Sequence, residues 1–136
     1  MKRSAHCRAF YTAPVETVWR LITSGTDVTV DPLNEEQYNN TEPEPGTIFT
    51  RAFEVVQNKR FVFEMKSINL YEHWTIELED WGVAETKITV RNDVTYRNIH
   101  TFLLSFPFAS PRHECKAFLS DLSAKVKNRK PVTAED

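Results

Sequence analysis

The segment from Phe61 to Val90, FVFEMKSINLYEHWTIELEDWGVAETKITV, decides the fold. Its apolar residues recur at every second position. Phe61, Phe63 and Met65 oppose Val62, Glu64 and Lys66. Trp74, Ile76 and Leu78 oppose His73, Thr75, Glu77 and Glu79, in a run from Tyr71 to Glu79. Thr86, Ile88 and Val90 oppose Lys87, Thr89 and Arg91. A period of two marks strands with one buried and one wet face. Asp80-Trp81-Gly82 reads as a turn. Ile48 to Val56 reads as a preceding strand, joined through a turn at Gln57-Asn58-Lys59. Consecutive strands with short connections make an antiparallel meander.

Outward from the meander the period changes. Ala5, Cys7, Ala9 and Tyr11 alternate with His6, Arg8 and Phe10, a strand whose small inner residues let a helix pack closely. At Thr12-Ala13-Pro14 the chain turns helical, with Thr12 suited to cap and Pro14 to the first turn. Val15, Val18, Trp19 and Ile22 then share one helix face, and Ser24-Gly25 ends it. Asp31-Pro32 opens a second short helix through Tyr38, and Thr41 to Gly46 forms a stiff acidic loop. Ile99 to Phe108 is apolar and broken by Pro107, and reads as well as a short helix as an apolar loop. Ser110-Pro111 repeats the cap-and-proline signal. Cys115, Phe118, Leu119, Leu122 and Val126 then give an amphipathic helix ending near Lys127. One apolar sheet face needs a cover, the last helix carries the matching stripe, and sheet twist curls the sheet around it. The class is α+β, a single domain over residues 1–128 with a flexible tail at 129–136.

Composition narrows the function. The chain has 136 residues, 40% hydrophobic and 12% aromatic, enough for one core rich in bulky walls. Its net charge of -2 supplies no field for nucleic acid or anionic lipid. Cys7 and Cys115 lack paired spacing, which fits a reducing compartment, and no apolar signal core or membrane-length run is present; the expectation is a cytoplasmic protein. The four histidines, His6, His73, His100 and His113, show no metal-ligand spacing, and no nucleophile elbow or glycine-rich phosphate loop occurs. No metal, cofactor or catalytic residue is therefore expected. His73, opposite Trp74, faces solvent. Glu77 and Glu79 face Lys87 and Arg91, where cross-strand pairing accounts for them.

Ala13-Pro14-Val15-Glu16-Thr17-Val18-Trp19 resembles the AP-x-x-x-VW opening of the START/Bet v 1-like (SRPBCC) superfamily. The stretch from Phe53 to Glu64 is similar to the EV-x-x-x-K/R hairpin of its Hsp90 ATPase activator homologue and polyketide-cyclase-like branches. His73 to Leu78 followed by Thr86 to Val90 resembles the next hairpin. The resemblance covers residues 5 to 127 and implies a helix-grip fold, a curved antiparallel sheet wrapped around a long C-terminal helix. Family members carry a further strand before the hairpin. Here that region, Asp27 to Pro45, is rich in Pro and Asn, so the sheet is one strand short or Asp27 to Val30 supplies a stub.

The resemblance implies a cavity between sheet and helix, with Tyr11, Trp19, Phe61, Phe63, Met65, Trp74, Ile76, Ile88, Asn92, Phe118 and Leu122 as candidate ligand-binding residues. The same side chains would equally fill a solid core. Asn92 continues the inward face of Ile88 and Val90, where a pocket role and a strand end are both open. Arg51 lies between Phe49 and Phe53, and solvent exposure is the favoured reading because a buried guanidinium without a partner is costly. Three functions remain open. The first is a non-enzymatic binding protein for a small apolar, aromatic or lipid-like molecule, oriented by Asn92 or Tyr11. The second is a cyclase/dehydratase-type enzyme, which needs an inward acid or base. The third is an interaction module or homodimer docking through Phe102 to Phe108.

Overall fold

The computed structural model describes residues 1–24, 35–105 and 110–128. The strands are β1 (Lys2–Tyr11), β2 (Phe49–Val56), β3 (Arg60–Lys66), β4 (Leu70–Gly82) and β5 (Glu85–Tyr96), with helices α1 (Val15–Ser24), α2 (Glu35–Asn40), α3 (Ile99–Ser105) and α4 (Pro111–Asn128). The strands form one antiparallel sheet in the order β1-β5-β4-β3-β2. The architecture is the expected α+β helix grip, with five strands among the described residues. The candidate stub Asp27 to Val30, the helix start at Asp31-Pro32, the end of the apolar run at Phe106 to Phe108, and the tail at 129–136 all lie outside them.

Register fixes the inner face. Ala5 and Trp74 both lie opposite Asn92, Cys7 and Ile76 opposite Val90, and Ala9 and Leu78 opposite Ile88. On this face Ile76, Ile88 and Val90 are fully buried. Cys115, Leu119, Leu122 and Val126 of α4 close over it, joined by Val15, Val18, Trp19 and Ile22 of α1. Small residues on β1 permit the approach. The Cys115 Sγ lies 3.7 Å from the Ala5 carbonyl oxygen and 3.9 Å from that of Val90. The Tyr11 hydroxyl donates to the Leu119 carbonyl at 2.7 Å.

Local chemistry shifts three boundaries. The first turn of α1 closes on the Pro14 carbonyl, which accepts from Thr17 N–H at 3.0 Å and Val18 N–H at 3.1 Å. The helix therefore starts later than a Thr12 cap would place it. The preceding segment is instead tied to the sheet, because the Thr86 hydroxyl donates to the Ala13 carbonyl at 2.8 Å. The expected turn at Asp80-Trp81-Gly82 is a bulge inside β4: Gly82 N–H donates to the Asp80 carboxylate at 3.0 Å, Gly82 sits at φ +140°, and the strand reverses at Val83-Ala84. The ambiguous run after Tyr96 is helical through Ser105. Asn98 caps it, accepting from Thr101 N–H at 2.8 Å, and Phe102 packs edge-on against Tyr96 with ring centroids 5.3 Å apart. Ser110 caps α4 as expected, its hydroxyl accepting from His113 N–H at 3.3 Å.

The outer face carries a second layer that the alternation does not announce. Lys66, on the outer side of β3, is only 1% exposed. Its ammonium donates to the carbonyls of Tyr38 at 2.9 Å and Thr41 at 2.8 Å, and sits 5.5 and 5.7 Å from the rings of Tyr38 and Tyr71. Arg97 stacks on Tyr71 at 4.9 Å and pairs with Glu42 at 2.7 Å. These contacts tie α2 and the acidic loop to the sheet. No described helix is long and apolar enough to cross a membrane. Lys66→Met removes both charge-assisted hydrogen bonds and is expected to cost about 2 kcal/mol. Urea denaturation measures this, and an unchanged midpoint would show that the loop is held by other contacts.

Candidate functional site

Helix α4 rests mainly on β1 and β5. Over β3 and β4 the inner face carries larger side chains, and the helix stands off. A row of aromatic rings crosses this side. Trp19 meets Phe61 at 6.1 Å, Phe61 meets Phe63 at 5.2 Å, Phe63 stacks on Trp74 at 6.0 Å, and Trp74 meets Phe118 of α4 at 5.9 Å. Between Phe63, Met65 and Trp74 on the sheet and Phe118 and Leu122 on the helix lies a cavity of about 410 Å³. Leu21 and Ile22 of α1 and Thr50 of β2 complete its apolar wall, and Glu72, Glu114, Asp121 and Lys125 supply its charges. The volume suits a small organic molecule.

Glu72 is the unusual member. It shares the inner face with Trp74 and is half-buried among apolar side chains. Burial pushes its carboxyl above the usual carboxylate range, and the nearby Glu114 charge adds to this; a hydrogen bond from Asn92 and the Trp74 indole oppose it. Asn92 Nδ2 donates to Glu72 at 3.5 Å, a long bond. Asn92 is wholly buried and its Oδ1 has no partner, and the Trp74 Nε1–H is likewise buried with no acceptor in hydrogen-bond geometry. No cation forms an ion pair with Glu72 among the described residues. An under-solvated carboxylate thus stands in the wall of an aromatic cavity, with the Trp74 indole beside it and the wholly buried Asn92 amide behind it.

The candidate residues divide by position. Phe63, Met65, Trp74, Phe118 and Leu122 line the cavity, and Asn92 lies behind Glu72. Tyr11, Trp19, Phe61, Ile76 and Ile88 do not line it. They pack in the core around it, so the cavity is smaller than the whole inner face suggests. The Tyr11 hydroxyl is spent on Leu119, and burial raises its pKa to about 12, so it holds the helix down and is not free to orient a ligand. Arg51 is on the outer face opposite Glu64, as favoured, but it is half-buried there and not solvent-exposed: its guanidinium lies 4.6 Å above the Phe53 ring and its Nη1 is buried without a hydrogen-bond partner. His73 is also outside, 2.7 Å from Glu64. Glu79 pairs with Lys87 at 3.6 Å, and Glu77 pairs with Arg60 at 3.1 Å, while Arg91 turns to Asp93. Cys7 and Cys115 are free thiols. No group of three metal-ligating side chains occurs among the described residues.

Sequence reasoning missed Glu72, although the signal was there. It lies two residues before Trp74 and so shares the parity of Ile76 and Leu78, a carboxylate on an apolar face. Glu114 and Asp121 carry no such signal, since a carboxylate at the margin of a helix stripe is usual.

No protein-family model matches the sequence, and no curated relative matches it. Similarity lies in the fold. Norcoclaurine synthase from Thalictrum flavum, solved with dopamine and hydroxybenzaldehyde, superposes with a TM-score of 0.58 at 12% identity, over 96% of this chain and 90% of that one. Ara h 8.0201 gives 0.58 at 8% identity, over 95% of this chain and 100% of that one. CalU16 from Micromonospora echinospora gives 0.56 at 14% identity, over 93% and 77%. The fold is the helix grip. Its structural neighbours are Bet v 1-like (SRPBCC) proteins, as the opening motif implies.

The raised pKa of Glu72 has a measurable consequence. In the unfolded chain the group titrates near an ordinary glutamate, about 4.3. In the fold it keeps its proton to higher pH, so stability is fully present below the unfolded value and is lost as pH rises through the folded one. Glu72→Gln removes that loss. The variant is expected to match the wild type at about pH 3.5 and to exceed it at about pH 7 in urea unfolding. A difference independent of pH would place the carboxylate in water.

Proposed function

We propose that this chain is a small-molecule-binding protein whose cavity takes an aromatic or apolar body with a hydrogen-bond-donating, preferably cationic, group directed at Glu72. The observation that carries the reading is Glu72 in the cavity wall, a half-buried carboxylate that no cation pairs among the described residues. A ligand amine or hydroxyl at the cavity wall would satisfy Glu72, since a buried acceptor left unmade is costly. Phe63, Trp74 and Phe118 would bound the ligand ring, and their faces favour a cation as well. Lys125 and Asp121, at the mouth side of α4, offer opposite charges and so impose no single sign there. The fold neighbour solved with dopamine and hydroxybenzaldehyde supports a cavity of this kind for aromatic molecules.

Magnitudes favour recognition by shape first and by charge second. An aromatic ligand body burying roughly 150–250 Å² gains about 4–6 kcal/mol before the costs of association. A hydrogen bond to a charged group adds about 1.5–3 kcal/mol, ten- to a hundredfold in affinity. Titration of tryptophan fluorescence with 2-phenylethylamine, 2-phenylethanol and phenylacetate is expected to rank them in that order. Glu72→Gln is expected to erase the preference for the amine while keeping the alcohol. Equal binding of phenylacetate and the amine would overturn the role of Glu72; silence from all three, together with a bare mass in native mass spectrometry, would overturn the cavity itself.

A second reading draws on the same carboxylate. A carboxyl whose pKa burial raises, beside an apolar cavity, can give and take a proton at a bound ligand, as a cyclase or dehydratase requires. Under this reading a bound hydroxylated ketone would be converted slowly, and conversion would stop in the Glu72→Gln variant. A ligand recovered unchanged after prolonged incubation speaks for binding alone.

A further inference from the structure

Helix α4 has a second flank, and the surface beside it is unlike the cavity. Among the described residues β1 ends the sheet and pairs with β5 alone. The N–H and C=O groups on its other side have no strand partner among the described residues. Along this edge runs a groove of about 910 Å³ between β1 residues Cys7 to Thr12 and the flank of α4 from Lys116 to Val126 and Lys127. Ala9, Leu119 and Val126 give it an apolar floor. Arg8, Lys116 and Lys127 give it three cations, and no carboxylate lines it. The cavity on the other flank has three carboxylates and one lysine. In a chain of net charge -2, so basic a groove is a local feature.

The geometry points to this groove as a docking site for an extended acidic peptide segment of another protein, added to the sheet as a sixth strand along β1. Three features select this occupant. An open strand edge offers a ladder of main-chain hydrogen bonds that a compact small molecule cannot use, whereas an added strand can. An apolar floor under alternating side chains suits a segment with every second residue apolar. The charges set the sign: carboxylates facing away from the floor would meet Arg8 on the outer face of β1, and Lys116 and Lys127 beside the floor favour an acidic segment over a basic one. The same charges count against a second copy of this chain. β1 carries Lys2, Arg3, His6 and Arg8 and no acid, so two such edges side by side would oppose cation to cation.

The test uses the whole chain and an acetylated, amidated octapeptide of alternating Glu and Val, followed by NMR amide shifts. Shifts confined to Cys7 to Thr12 and the Lys116–Lys127 flank of α4 are expected, weakening with added salt. The alternating Lys and Val peptide is expected to be silent. Arg8 and Lys116 are exposed, and the double variant Arg8→Glu, Lys116→Glu is expected to weaken binding at least about tenfold. Decanoate tests the alternative of a small amphipathic anion: shifts from decanoate with the peptide silent would reassign the groove. A dimer at rising concentration that the peptide fails to displace would assign the edge to a second copy. Absence of shifts along β1, or binding indifferent to the charge reversal, would overturn the proposal.

Discussion

Helix α4 is drawn down on one side of the sheet because β1 offers it almost no side-chain bulk. Ala5, Cys7 and Ala9 leave room for the Cys115 thiol to reach backbone carbonyls of two strands, and the Tyr11 hydroxyl fastens the middle of the helix through Leu119. On β3 and β4 the same inner face carries Phe63, Met65 and Trp74. A straight helix cannot lie close to small residues and to large ones at once, because close-packed interiors tolerate neither overlap nor voids without cost. The space left on the aromatic side is the cavity. The flank left uncovered beyond β1 is the groove.

The helix is also divided by charge. Glu114 and Asp121 are seven residues apart, two turns, and face the cavity; Lys116 and Lys127 are eleven apart, three turns, and face the groove. The buried stripe of Cys115, Leu119, Leu122 and Val126 runs between them. A single element thus biases the two concave surfaces toward opposite sign, with Lys125 the one cation on the cavity side. Glu72 strengthens the acidic side from the sheet. Its burial is a local cost to stability, offset only in part by the long hydrogen bond from Asn92, and such a cost at a concave site is what a binding function would maintain.

The outer face follows a different logic. A half-wet sheet would expose Lys66, yet α2 and the loop behind it cover this end and take its ammonium as their anchor. An ammonium can bond two main-chain carbonyls at the end of a helix where no N–H is left to do so. The Arg97 stack on Tyr71 and its pair with Glu42 extend the same clamp. With both sides of β3 covered, the strand that carries Phe63 is fixed from behind, and the aromatic wall of the cavity keeps its position.

The sequence by itself determined the element types, the inner face of the sheet and the stripe of α4, because alternation and helical spacing are local properties of a chain. It also held Glu72 in plain parity with Trp74. It left open whether the inward aromatics enclose space or fill it, since Phe61 and Phe63 have the same parity and one is core while the other is wall. What separates them is what packs opposite: Trp19 of α1 meets Phe61, while α4 stands off Phe63, a spacing summed over side-chain volumes from β1, β3, β4 and α4 together. The facing of Arg51 and Asn92 was decided by cross-strand register, and the bulge at Gly82 by one side chain bonding its neighbour's amide. The burial of Lys66 came from a loop in no fixed period with the sheet. Local pattern specifies which face a residue takes; packing between elements distant in sequence decides what that face meets.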